Sequence, residues 1–141
     1  MNLFIATLLF IIFLFLSCLH TYWAAGGGWG SDAVFPTKEN GLPLKMPGKI
    51  PTLIVAFGLL CIGSFYLIKG GILHISLPIW VNNYGLWIIS GTFILRAIGD
   101  FNFVGFFKKY KQTKFGKNDT KYYSPLCLII GILTIILSLN N

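Results

Sequence analysis

Long apolar runs separated by short polar ones set the reading of this chain. Residues 2–23 carry no lysine, arginine or acidic residue, and His20 is their first basic side chain. Further apolar runs cover residues 51–69, 80–99 and 124–139. Each is close to the ~20 helical residues that cross the hydrocarbon of a bilayer at 1.5 Å per residue. The pattern predicts an all-α membrane protein: a four transmembrane helix bundle forming a single domain over residues 1–141. No lysine or arginine precedes the first run, and it exceeds the ~7–15 apolar residues of a signal peptide, so it is read as a span.

Between the runs, local chemistry marks the breaks. Gly26, Gly27, Gly28 and Gly30, then Pro36, Pro43 and Pro47, make residues 25–49 a loop. Pro51 suits the first turn of the second helix, and Ser124-Pro125 reads as a capped start for the fourth. Ile72 to Asn83 reads as a turn in the outer interface, with Trp80 as an aromatic anchor. Phe101 to Phe107 is too apolar for an ordinary loop and too short to cross. It predicts a short interfacial segment after the third helix, with phenylalanines dipped into lipid. Lys108 to Lys121 reads as a polar connector. Small residues mark helix-facing stripes: Ala56, Gly58, Gly63 and Ser64 on the second run, and Cys127, Gly131, Thr134 and Ser138 on the fourth.

Charge adds orientation. Of 141 residues only 11% are charged, against about 25% in soluble domains. Eleven lysines and arginines face four acids. The lysines gather in the first and third loops: Lys38, Lys45 and Lys49, then Lys108, Lys109, Lys111, Lys114, Lys117 and Lys121. The positive-inside rule places loops 24–50 and 100–123 in the cytoplasm and both termini outside the inner (plasma) membrane. Lysines beside apolar spans suit anionic lipid, so membrane lipids are the expected partners and nucleic acid is not. The three cysteines, Cys18, Cys61 and Cys127, lie far apart in apolar runs and form no metal or dithiol motif. No cofactor or metal is expected.

Candidate chemistry collects on the lysine-rich side. His20, Tyr22 and Trp23 end the first run; Arg96 and Asp100 end the third; Asp119 and Tyr123 approach the fourth. Residues four apart share a helix face, so Arg96 and Asp100 can pair. These residues are the ligand-binding candidates, expected to meet in a cytoplasm-facing polar pocket. Arg96 would hold an anionic or amphipathic small molecule or lipid, Asp100 and His20 would orient it, and the aromatic side chains would wall it. A second class is a membrane enzyme using His20 or Asp100 as acid–base on a lipid-soluble substrate, with no catalytic residue assigned. A third is a structural subunit, or a homo-oligomer, joined through the small-residue stripes.

Three ordered motifs also carry a resemblance. His20-Thr21-Tyr22-Trp23-Ala24-Ala25-Gly26-Gly27, then Arg96-Ala97-Ile98-Gly99-Asp100-Phe101, then Phe115, Asp119 and Tyr123-Ser124-Pro125-Leu126-Cys127 follow one another over nearly the whole chain. Together they resemble a family of small bacterial membrane proteins designated a domain of unknown function, number 3995. The resemblance implies a four-helix membrane protein and brings no activity or ligand with it.

Overall fold

In the computed structural model the described residues are 1–35 and 47–141, Asp32 by its backbone alone. Pro36, Lys38, Pro43 and Lys45, on which part of the first-loop reading rests, lie outside them. Among the described residues there are helices and irregular segments and no strand. The helices are α1 (Asn2–Ala24), α2 (Ser31–Val34), α3 (Lys49–Lys69), α4 (Ile79–Ile98), α5 (Lys114–Asn118) and α6 (Ser124–Leu139); a π-helical turn, Asp119–Tyr123, joins α5 to α6. Among the described residues three stretches are long and apolar enough to cross a membrane: Asn2–Ala24, Lys49–Lys69 and the continuous Lys114–Leu139. Helix α4 is not among them. Asn82, Asn83, Tyr84 and Arg96 dilute its apolar content.

The chain divides into two compact units. The first comprises residues 1–27, 47–88 and 133–141, and the second residues 28–46 and 89–132. In the first, α1 and α3 pack antiparallel along a seam of small residues. Ala6 abuts Gly70, Phe13 crosses Gly63, and the Ser17 hydroxyl donates to the Ala56 carbonyl at 2.7 Å. Side chains on neighbouring helices approach this closely because the glycines offer bare backbone. A Cβ on Gly70 would stand 2.6 Å from that of Ala6. Ala6, Leu9, Phe13 and Ser17 follow the three-and-four spacing of one helix face and are buried, whereas Phe4, Ile11 and Phe15 on the other face are exposed. Tyr66 is fully buried and bonds Thr134 of α6 at 2.7 Å. Gly85 of α4 makes room for the Phe65 ring.

In the second unit Gly131 of α6 meets Ile94 of α4, where a Cβ would stand 2.6 Å from the isoleucine side chain. The small-residue stripe of the fourth run is thus used where it is smallest, at Gly131, and where it is polar, at Thr134.

Two parts of the sequence reading need correction. The first loop contains a helical turn, Ser31–Val34, within residues read as irregular. The polar connector before the fourth run is also helical from Lys114, so Ser124 caps nothing. Thr113 is the cap: its hydroxyl accepts the Gly116 N–H at 2.9 Å. In an α-turn the ring of Pro125 would press on the carbonyl of residue 121. The wider π-turn in front of it lets the helix pass through the proline without ending.

Candidate functional site

The second unit holds a charged cluster built around Asp119. Helix α4 stops at Ile98 because Gly99 takes a left-handed φ of 94°. The chain then folds back on the helix end: Phe106 N–H donates to the Ala97 carbonyl at 2.8 Å, and Gly105 lies directly on Gly99. Both glycines are required, since a Cβ on either would overlap the backbone of the other strand of this turn. The fold-back carries Lys108 into the interior, where it is 1% exposed.

Asp119 opens the π-turn and is fully buried. A π-turn brings residues five apart onto one face, so Ser124 lies over Asp119 and donates to Oδ2 at 3.1 Å. The same oxygen accepts Gly105 N–H at 2.7 Å and Lys108 Nζ at 3.0 Å; Oδ1 accepts Arg96 Nη2 at 2.9 Å. Every partner is a donor, as an ionised carboxylate requires. Lys108 Nζ also donates to the Gly105 carbonyl at 2.7 Å and to Thr120 Oγ1 at 2.6 Å. Its three acceptors match the three N–H bonds of an ammonium group.

Arg96, Lys108 and Asp119 sum to a single positive charge. Lys108 and Asp119 are sealed, while the Arg96 side chain is 33% exposed. Arg96 Nη1 is buried and, among the described residues, without a hydrogen-bond partner. A guanidinium nitrogen in that condition leaves a donor unsatisfied, which costs free energy until an acceptor meets it.

The remaining predicted residues fall as follows. Asp100 does not pair with Arg96, contrary to the helical-spacing argument: the helix has already ended, and the carboxylate turns to the loop. Its Oδ1 accepts the N–H groups of Asn102, Phe103 and Val104 at 3.0, 2.8 and 2.9 Å. Partial burial pushes the Asp100 carboxyl up, but these backbone donors outweigh it and hold the group below its ordinary range. Tyr123 donates to the Ala33 carbonyl at 3.0 Å and lies 6.0 Å from the Phe115 ring, fastening α2. His20, Tyr22 and Trp23 belong to the first unit. His20 Nδ1 is 2.7 Å from the Leu16 carbonyl, which makes it the protonated nitrogen, and its ring stands edge-on to Trp23 at 5.1 Å. The exposed Tyr22 ring covers Gly27.

Lys108 is the site residue that sequence reasoning missed, read as one more solvated lysine of its block. Gly105, three residues ahead, was the available sign of a tight turn. Among the described residues no three His, Cys, Asp or Glu side chains gather as a metal site.

Residues 13–134 match the family model described as a protein of unknown function, DUF3995. The match spans most of the chain, and the protein belongs to that family. No curated protein and no solved structure matches it. What the family and the helices establish together is a member of an uncharacterised domain family with several helices able to span a membrane.

Proposed function

We propose that the whole chain is a single four-span domain of the bacterial inner membrane that holds the anionic group of an amphipathic small molecule or lipid at Arg96. Helix α4 serves as the fourth span, both termini lie outside, and loops 24–50 and 100–123 face the cytoplasm, as the lysine distribution favours. One observation carries the binding reading: a cluster of net positive charge contains a guanidinium nitrogen that is buried, unpartnered, and part of a side chain one-third exposed. Asp119 fixes one arm of the fork and leaves the other for a phosphate or carboxylate oxygen. Arg96 is a better anchor than Asp100 is a catalyst. Asp100 is committed to backbone donors, and its lowered carboxyl is a poor base near neutrality.

The test is native mass spectrometry of the protein in nanodiscs, comparing retention of phosphatidylglycerol, phosphatidylcholine and inorganic phosphate by the unaltered chain, Arg96→Lys and Arg96→Gln. A charge-assisted hydrogen bond of ~1.5–3 kcal/mol predicts roughly 10–100-fold weaker retention of the anionic species in Arg96→Gln. Retention of phosphate alone would identify a soluble ligand, not a lipid. Equal retention of every species by all three proteins, with circular dichroism unchanged, would rule the anion site out.

A further inference from the structure

The turn that follows α4 has a property ordinary surface loops do not need. From Gly99 to Lys111 the chain is irregular, yet its backbone donors, those of Phe101 and Lys108 aside, are hydrogen-bonded within the protein. Gly99 N–H bonds Leu95; Asp100 bonds Val104; Phe106 and Phe107 bond the last carbonyls of α4; Lys109, Tyr110 and Lys111 bond within the loop. Asn102, Phe103 and Val104 donate to the Asp100 carboxylate, and Gly105 to that of Asp119. A loop in water has no call for such closure, because solvent supplies partners. Non-helical backbone next to hydrocarbon does, since each unsatisfied group there costs several kcal/mol.

The side chains point the same way. Phe101 and Phe107 are 63% and 64% exposed and contact each other, with ring centroids 6.5 Å apart. Phe101 holds a φ of 63°, a left-handed conformation rare and unfavourable for an aromatic residue, and the Asp100 bonds keep it there. Lys109 and Lys111, just beyond, are both exposed. Exposed phenylalanines on a largely hydrogen-bonded backbone, followed by exposed cations, match the order of acyl chain and anionic head group across a leaflet surface.

We propose that residues 99–111 form a preformed wedge seated in the anionic leaflet on the lysine-rich side, with Phe101 and Phe107 among the acyl chains and Lys109 and Lys111 at the phosphates. This rests on the chain being a membrane protein and is independent of the anion site at Arg96.

The experiment places a spin label at Phe107→Cys, or at Lys121→Cys as a control, in a background of Cys18→Ser, Cys61→Ser and Cys127→Ser. Collision with oxygen and with chelated nickel is read in nanodiscs of phosphatidylcholine with and without phosphatidylglycerol. The expected result is a label at 107 reached by oxygen and shielded from nickel, with the reverse at 121. Reversing Lys109 and Lys111 to Glu should shift the label toward nickel only where phosphatidylglycerol is present. Free access of nickel at 107 would overturn the proposal, and so would shielding from both reagents, which would mean that another protein surface covers the phenylalanines. Should the substituted background misfold, a lipid with a photoactivatable group in mid-chain is applied to the unaltered protein. Adducts on peptides containing residues 101–107 support the wedge, and their absence beside labelled α1 and α3 refutes it.

Discussion

Replacing Asp119 by Asn is the sharpest probe of the charged cluster. The variant keeps the shape and one acceptor oxygen, but the amide NH2 then faces donors whichever way it is turned: Arg96 on one side, or Gly105 N–H, Lys108 and Ser124 on the other. Lys108 stays sealed with its charge uncompensated. Removing one partner of a buried pair costs about 3–5 kcal/mol, a large part of the ~5–15 kcal/mol that separates folded from unfolded states. Lys108→Met alone is milder, about 1–3 kcal/mol, because Asp119 keeps Arg96, Ser124 and the Gly105 N–H. Combining the two removes the stranded ammonium, so the double variant should cost no more than Asp119→Asn itself. Independent effects would instead sum to about 4–8 kcal/mol. Helix content followed by circular dichroism through a titration of denaturing detergent into mixed micelles measures all three. A double variant equal to the sum within about 0.5 kcal/mol would refute the coupling.

Two further outcomes follow from the same turn. Gly99→Ala should destabilise by more than about 2 kcal/mol in that titration, through its positive φ and the overlap with Val104, whereas Gly58→Ala, a helical position facing open space, should be neutral or slightly stabilising. The Asp100 carboxyl titrates below its unfolded value of about 3.9, so it contributes stability above that pH and loses it as pH falls through the folded pKa. Asp100→Asn should therefore flatten the stability profile below about pH 5, read by thermal unfolding across pH.

Much of the fold was legible because long apolar helices are written in composition. The runs at 2–23, 51–69, 80–99 and 124–139 correspond to Asn2–Ala24, Lys49–Lys69, Ile79–Ile98 and Ser124–Leu139. The cluster was legible only in part. Arg96 and Asp119 stood out as charges beside apolar runs, but their pairing spans 23 positions of chain and no local spacing encodes it. The Arg96–Asp100 pairing failed at Gly99, a residue whose freedom at positive φ ends helices and which deserved more weight than the four-residue spacing. Lys108 was hidden by its neighbours: within a run of lysines nothing local separates the one that folds inward from those that stay in solvent.

The π-helical turn between Asn118 and Ser124 has a bearing on how this chain tolerates change in length. An α-helix advances roughly 100° per residue, so one additional residue in a turn resets the angular phase of everything before it relative to everything after. Loss of a single position there would restore a regular helix while swinging the Asp119 carboxylate away from Arg96 by about a quarter of a revolution. A point replacement at the same place would leave the phase intact. Between Asp119 and Tyr123, the number of residues matters as much as which residues they are.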